Sequence, residues 1–526
     1  MNHEQAFLQA IRETPHDDAP RLIYADWLEE QGGAARTARA AFIRIQCRLA
    51  ELPDDHATRD ALEDEAADLL ADYYHEWTQP HRDIGDNWLF QRGFVEHLRL
   101  VGGGEGLLTH AKSLFDFTPL RSLHFVIHPK DVPHLAACPQ LQWIEALDFT
   151  RCTLNDRSLQ QLLTSPYLAR LTALDLTGNA ITTAGLQTLV SWPSFARLRR
   201  LNLSRNIGVG DKAIRLLARA TQAEHLEELD LSSTNITLDG LHDLFQTPNL
   251  PRLTSLHVAG TRSGYAQFTS PLRIWKESKL LGQLRRLDVS GNIHPAALRV
   301  LLESLSATHL QALDLRHVHP DSADVKLLAT SPHLACLRHL DVSSNNLRDC
   351  GASLIAESPY LTCLRVLELS GNGIGGPGIK SLANSANLDA LRTLNLSNNF
   401  IGADSVRALA ESAHLRHLTC LDLSDAFLEE DSARALASSA NLTQLRTLLL
   451  KKNLLGDGGA MALAQSPHLA RLTTLDLNDN RIGKAGAEAL AAAVWRRMRS
   501  LDLRGNVFTD TQEALLRKRF GNAVQL

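Results

Sequence analysis

The chain has 526 residues and a net charge of −5, whereas general nucleic-acid-binding proteins carry a strongly basic balance. Its apolar fraction of 44% is typical of a folded protein, and no run approaches the roughly 18 apolar residues that a membrane span needs. The opening residues MNHEQAFLQAIRET lack the basic-then-apolar order of a signal peptide. We therefore expect a cytoplasmic protein that binds neither nucleic acid nor membrane.

Residues 1–86 carry the apolar spacing of helices. The segment EQAFLQAIRE predicts a first helix and RLIYADWLEEQGG a second. A third places Ala38, Phe42, Ile45 and Leu49 on one face, and RDALEDEAADLLADYYHEW predicts an acidic fourth. The sequence thus predicts a small all-α domain at 1–86.

The motif DDAPRLIYADWLEE lies within residues 4–52 and resembles the bacterial repeat-companion domain, a short module found ahead of repeat arrays. The resemblance implies an architecture, with helices preceding repeats. It implies no activity, since none is assigned to that family. Acidic residues near the helix starts, such as Asp18 before Pro20, are predicted to cap helices rather than to catalyse.

From residue 94 onward one phrase recurs, as in LRTLNLSNNFIG at 391–402 and LTTLDLNDNRIG at 472–483. It consists of LxxLxL followed in most copies by Asn, and it returns every 27 residues over much of the chain. The second leucine of the sixteen copies lies at 98, 123, 147, 174, 201, 229, 256, 287, 313, 340, 367, 394, 421, 448, 475 and 501. Such nearly constant spacing is typical of a repeat architecture.

Each copy predicts one coil of a solenoid. The alternation in LxxLxL is that of a short strand with inward-facing leucines, and an amphipathic helix follows after a turn. The Asn is expected to hydrogen-bond neighbouring backbone at that turn. Stacked coils share a core that no single coil can form. We place the solenoid at 87–515, with 516–526 as the tail of a capping helix and 1–86 as the other cap.

These repeats resemble the leucine-rich repeat family, and within it the ribonuclease-inhibitor-like class, whose long repeats carry full helices. The resemblance covers about residues 94–515 and implies an α/β solenoid of horseshoe shape, with a parallel sheet on the concave face and helices outside. Some repeats lack the Asn, and their turns are expected to lose a side-chain hydrogen bond. These departures are Gly103, His128, Cys152, Thr234, Thr261, Val318 and Ala426.

The residue between the last two leucines of LxxLxL points away from the core, onto the predicted concave face. In ten of the sixteen copies it is acidic, and we call these residues the acidic column: Asp148, Asp175, Asp230, Asp288, Asp314, Asp341, Glu368, Asp422, Asp476 and Asp502. Arginines such as Arg199 and Arg338 recur three positions earlier. Two interpretations stay open: a structural ladder of carboxylates and arginines, or a surface patterned for a basic partner.

One coil is longer, because the spacing from Leu256 to Leu287 is 31 residues. Tyr265 and Phe268 lie in its extra segment, where they either fold back over the coil or anchor a partner. No GxxxxGK[ST], GxSxG, HExxH or paired CxxC motif occurs. We therefore predict no catalytic, metal-binding or cofactor-binding residue, and take the acidic column with Tyr265 and Phe268 as candidates for partner binding.

The leading hypothesis is a non-enzymatic scaffold that binds an unknown, basic partner protein on the concave face. A second is an inhibitor or regulator of a basic enzyme such as a nuclease, since ribonuclease-inhibitor-like proteins bind basic nucleases. A third, from GTPase-activating repeat proteins, requires an exposed Asn or Arg that reaches a nucleotide. Asn202 and Asn395 point outward but have no motif around them. The oligomeric state stays open, although capped solenoids can be monomers.

Overall fold

The computed structural model describes residues 3–53, 56, 58–79, 84–100, 103–261, 275–291, 295–305, 309–495 and 497–526. The chain divides into two compact units, unit 1 at Met1–Leu253 and unit 2 at Thr254–Leu526. In both units short strands alternate with helices, as the repeat predicts.

The strands of unit 1 are β1 (Gly85–Gln91), β2 (Phe94–Leu100), β3 (Ser122–Phe125), β4 (Ala146–Asp148), β5 (Ala173–Asp175), β6 (Arg200–Asn202) and β7 (Glu228–Asp230). Those of unit 2 are β8 (Ser255–His257), β9 (Arg286–Asp288), β10 (Ala312–Asp314), β11 (His339–Asp341), β12 (Val366–Glu368), β13 (Thr393–Asn395), β14 (Cys420–Asp422), β15 (Thr447–Leu449), β16 (Thr474–Asp476), β17 (Ser500–Asp502) and β18 (Val524–Gln525).

The helices of unit 1 are α1 (His3–Glu13), α2 (Ala19–Glu30), α3 (Ala34–Glu51), α4 (Arg59–Thr78), α5 (Gly103–Phe117), α6 (Val132–Ala136), α7 (Asp156–Leu163), α8 (Thr183–Val190), α9 (Asp211–Arg219) and α10 (Leu238–Gln246). Those of unit 2 are α11 (Pro295–Ser304), α12 (Ser322–Thr330), α13 (Arg348–Ala356), α14 (Gly376–Ala383), α15 (Ala403–Glu411), α16 (Glu430–Ala437), α17 (Gly456–Ala464), α18 (Lys484–Ala491) and α19 (Asp510–Phe520).

The four predicted N-terminal helices are present as α1 to α4, but they do not stand alone. Strand β1, which sequence reasoning missed, begins before residue 86 and pairs antiparallel with β2, with Gln91 opposite Phe94. Phe94 is buried in one cluster with Leu8 and Tyr24 of the helices. The hairpin is therefore part of the same core as the helical region.

A buried ion pair joins the helical region to the first coils. Arg21 of α2 is fully buried, and its Nη2 lies 2.6 Å from Oε1 of Glu96 on β2. The other oxygen of Glu96 lies 3.0 Å from Nη1 of Arg121, at the start of the next coil. Because both partners of a buried pair are needed to offset desolvation, these charges fix the helices against β2.

The leucines aligned from the sequence are direct strand partners. From β2 to β7, and again from β8 to β18, each strand pairs in parallel with the next. Leu340 faces Leu367, for example, and both are completely buried. The predicted coil of strand, turn and helix is confirmed in both units.

The C-terminal segment differs from the prediction of a helical tail at 516–526. Helix α19 ends at Phe520, and the chain then turns back to form β18. Val524 of this strand pairs with Leu501 of β17. The final residues thus extend the sheet of unit 2 by one short strand.

The Asn after each strand is a buried link between successive coils. In Asn399, Nδ2 donates to the carbonyls of Leu396 in its own coil and Leu369 in the preceding coil, at 2.9 and 3.0 Å. Its Oδ1 accepts from the N–H groups of Asn372 and Ile374, at 3.1 and 2.9 Å. One side chain therefore satisfies backbone groups of two neighbouring turns.

The departures from Asn weaken this link to different degrees. Val318 and Ala426 have no polar side-chain atom, so their turns lose the bond as expected. Cys152 still donates through Sγ to the carbonyl of Phe125, and Thr234 donates through Oγ1 to the carbonyl of Leu231. The loss is therefore partial at Cys152 and Thr234.

A second set of buried hydrogen bonds joins the helical side of the coils. A Ser or Thr after a helix donates, at 2.5 Å, to an alanine carbonyl near the end of the preceding coil's helix. The pairs are Ser165–Ala136, Thr247–Ala218, Ser358–Ala329, Ser385–Ala356, Ser412–Ala383, Ser439–Ala410 and Ser466–Ala437. These donors satisfy carbonyls that a helix end leaves without partners.

We predict that Asn399→Ala lowers the free energy of unfolding by about 3 kcal/mol, because it leaves buried backbone groups of two turns without partners. The matched control is Asn398→Gly in the same turn. Asn398 is exposed and has φ 54°, a conformation that glycine adopts without strain. Urea unfolding should show the control within about 0.5 kcal/mol of wild type. Equal effects of the two changes would contradict a linking role for Asn399.

Candidate partner-binding surface

The acidic column occupies the last position of the three-residue strands, where neighbouring residues are in register. In unit 2, Asp314 pairs with Asp288 on one side and Asp341 on the other, and Asp341 pairs with Glu368. Adjacent strands lie about 4.8 Å apart, so these four carboxyl groups are brought together. The remaining members of the column form shorter runs, since Asn202, Asn395 and Leu449 interrupt it.

Every Asp of the column also caps its own turn. Oδ1 of Asp341 accepts the N–H of Ser343 at 2.9 Å, and the other eight Asp residues of the column accept the N–H two residues later in the same way, at 2.8–3.1 Å. Asn202 and Asn395 accept the corresponding N–H in the same way. The cap therefore needs a side-chain oxygen at this spacing but no charge.

Two arginines, each two positions after a column residue, form ion pairs with part of the acidic column. Arg316 places Nη2 2.6 Å from Asp314 and Nε 3.3 Å from Asp341. Arg504 lies 2.5 Å from Asp502 in the same manner. Arg199, one of the arginines in the structural-ladder interpretation, instead pairs with Glu227 at 2.8 Å.

Burial gives the column carboxyls unequal proton affinities. It raises the pKa of Asp175, Asp314, Glu368 and Asp476, because their charged forms are partly desolvated. Burial also opposes ionisation of Asp288, but hydrogen bonds from His257 and Ser290 outweigh it and lower the pKa of this group. The folded environment thus disfavours the charged form of these four carboxyls and favours the charged form of Asp288.

We predict opposite stability effects for Glu368→Gln and Asp288→Asn. The folded-state pKa of Glu368 lies above the unfolded value of about 4.3, so its ionisation destabilises the protein at neutral pH. Glu368→Gln should raise the Tm at pH 7. The stabilisation from Asp288 is present above the unfolded pKa of about 3.9 and is lost as pH falls through the lowered folded value. Asp288→Asn keeps an oxygen for the cap and should lower the Tm at pH 7.

Thermal unfolding at pH 7 and pH 3 checks both effects. The Glu368→Gln difference should disappear at pH 3, where the carboxyl is protonated in both states, and the Asp288→Asn difference should shrink. A shift of the same sign for both variants at pH 7 would contradict the assigned environments.

A second column, missed from the sequence, consists of exposed apolar residues directly after the Asn position of four coils in unit 2. We call Phe400, Phe427, Leu454 and Val507 the apolar column, and their exposed fractions are 67%, 64%, 36% and 76%. The N–H of Phe400 donates to the carbonyl of Ile374 in the preceding coil at 2.9 Å, and Leu454 and Val507 make the equivalent bonds. These bonds stack the turns in register, so the same position recurs along one edge.

Two aromatic side chains of the apolar column stack on each other although both are exposed to solvent. The rings of Phe400 and Phe427 stack with centroids 6.3 Å apart and an interplanar angle of 13°. Phe427 has φ 57°, a left-handed conformation that costs a bulky residue about 1–2 kcal/mol. An earlier coil carries Gly373 at this position, with φ 64°. The signal was present in the aligned repeats, where NFIG and AFLE place Phe after the Asn position.

The remaining sequence candidates, Tyr265 and Phe268, lie outside the described residues. Within the part of the chain that the structure describes, no group of three or more His, Cys, Asp or Glu residues is placed to hold a metal ion. None of the described helices is both long and apolar enough to cross a membrane.

A model of the family described as Leucine Rich repeat matches residues 170–190, 222–244, 333–356, 360–383, 391–410 and 468–491. No curated protein matches the chain. An internalin from Listeria monocytogenes is 20% identical with a TM-score of 0.36, over 74% of this chain and 88% of its own. A chain of the yeast Rad7–Elc1 complex is 17% identical with a TM-score of 0.44, over 86% and 94%. A chain of the TLR13–ssRNA13 complex is 18% identical with a TM-score of 0.40, over 82% and 66%.

The six family matches fall in both units, on segments that contain the in-register leucines and the helices beside them. The repeated coil of strand, Asn turn and helix supplies the same identification from the structure. The protein has the fold of an α/β leucine-rich repeat solenoid, with a helical region at its N-terminal end.

Proposed function

We propose that the protein is a non-enzymatic interaction scaffold, and that unit 2 binds a partner protein where the acidic column adjoins the apolar column. The observation that carries the proposal is the exposed, stacked pair of Phe400 and Phe427. Neither ring fills the core, and the backbone of Phe427 is strained. Exposed aromatic clusters of this kind are typical of protein interfaces.

The charge beside this pair defines the chemistry of the partner. Asp422 ends the strand of the coil that carries Phe427, and Glu368 and Asp341 continue the column on earlier strands. Each column Asp uses one oxygen for its cap, which leaves the second oxygen for other contacts. A partner segment with basic and apolar side chains fits both columns, and its charge would favour fast and selective association.

An inhibitor of a basic enzyme such as a nuclease is a narrower form of the same proposal. Its acidic surface would meet a basic partner in the same way, but fold alone does not select that partner. The cytoplasmic location and the ribonuclease-inhibitor-like and repeat-companion relationships stay predictions from the sequence.

Affinity capture from native cell lysate with matched variants tests the proposal. The aromatic variant combines Phe400→Ala with Phe427→Gly, because glycine relieves the strained backbone. The charge variant combines Asp341→Asn, Asp422→Asn and Asp476→Asn, which keep the capping oxygens. The control is Val494→Ala, an apolar residue outside both columns that is 66% exposed. All three proteins should melt close to wild type.

We expect one set of partners that the control retains and the aromatic variant loses by at least about tenfold. The charge variant should retain less partner at low salt and differ less from wild type at high salt, where charges are screened. Capture that is undiminished in both test variants would refute binding on these columns.

A further inference from the structure

A cavity of about 200 Å³ lies in unit 1, between the N-terminal helices and the β1–β2 hairpin region. Its apolar wall includes Tyr24, Trp77 and Phe94. Glu4, Arg36 and Glu76 also line it, and all three are exposed, so they mark its mouth. None of its lining residues belongs to the acidic column or the apolar column.

Arg39 of α3 supplies the positive charge of this cavity. Its guanidinium carbon lies 4.7 Å from the ring centroid of Trp77, 5.0 Å from that of Phe90 and 5.6 Å from that of Phe94. The aromatic faces offset part of the charge. Burial lowers the pKa of Arg39 to about 10, so the group is still protonated at neutral pH.

The hydrogen bonds of Arg39 are incomplete. Its Nη1 atom is buried and has no hydrogen-bond partner among the described residues. Glu4, the nearby carboxylate, accepts instead from the hydroxyl of Tyr24 at 2.8 Å. The buried guanidinium of Arg21 also has one unpartnered nitrogen, Nε, but its charge is paired with Glu96 at 2.6 Å. A buried N–H without an acceptor is costly, and a ligand that supplies one removes this cost.

We propose that this cavity binds a small carboxylate with an apolar or aromatic body. The planar guanidinium of Arg39 matches a carboxylate, and the rings of Tyr24, Trp77 and Phe94 would enclose the apolar part. One buried guanidinium, with Arg36 and two carboxylates at the mouth, gives the cavity no net positive charge, which disfavours a dianion such as phosphate. Glu4 and Glu76 would in turn accept an ammonium group, as in an amino acid.

Calorimetric titration of the full chain with 3-phenylpropionate and with its neutral amide tests the proposal. The acid should bind with a Kd near or below about 1 mM and at least about tenfold more tightly than the amide. Arg39→Met should abolish the preference for the acid, and Arg39→Lys should keep the charge but weaken binding. Arg44→Met is the matched control on the same helix, because Arg44 pairs with Asp26 and Glu29 away from the cavity.

A peptide that ends in Phe, with a free or an amidated C-terminus, distinguishes the source of the carboxylate. Tighter binding of the free peptide than of the acid would identify a chain terminus as the ligand, and binding of the acid alone would identify a small molecule. Absence of binding, equal binding of acid and amide, or an unchanged preference for the acid in folded Arg39→Met would overturn the proposal.

Discussion

The hydrogen bonds of the buried Asn side chains set the geometry on which the rest of the solenoid depends. The backbone N–H and carbonyl groups of the turn after each strand are buried. Because they cannot reach water, they need hydrogen-bond partners within the protein. Asn carries two donors and one acceptor on a short stem, and Asn399 uses them on its own turn and on the preceding one. Because each turn is fixed against its predecessor, residues at one repeat position line up as columns.

The acidic column combines a structural task with a charge that this task does not require. A side-chain oxygen at the end of the strand caps the turn that follows. Asn202 and Asn395 form this cap with an uncharged amide oxygen. Aspartate is nevertheless used at most positions, including Asp314 and Asp476, where burial opposes ionisation. Capping therefore accounts for the oxygen, while the excess of carboxylates over amides supports a role in recognition.

The sequence was sufficient where one periodic pattern decided the structure. The aligned leucines, the turn Asn and the four N-terminal helices all follow from local spacing. Strand β1 was missed because its sequence GDNWLFQ belongs to no repeat and its partners come from helices and β2. Phe400 and Phe427 were visible in the alignment, but their stacking depends on how neighbouring turns are fixed. The surroundings of Arg39 come from α4, β1 and β2, which no local pattern connects.

The contacts between coils repeat at constant offsets along the chain. Nδ2 of Asn372, Asn399 and Asn453 reaches the carbonyl 30 residues earlier, and Ser385, Ser412 and Ser439 reach the one 29 residues earlier. If one whole coil were inserted or removed, the coils that become neighbours would still present matching donors and acceptors to each other. Duplication of a whole coil would therefore lengthen the array, and deletion of one would shorten it, without a compensating substitution. The columns on the surface would change in length while the fold is conserved.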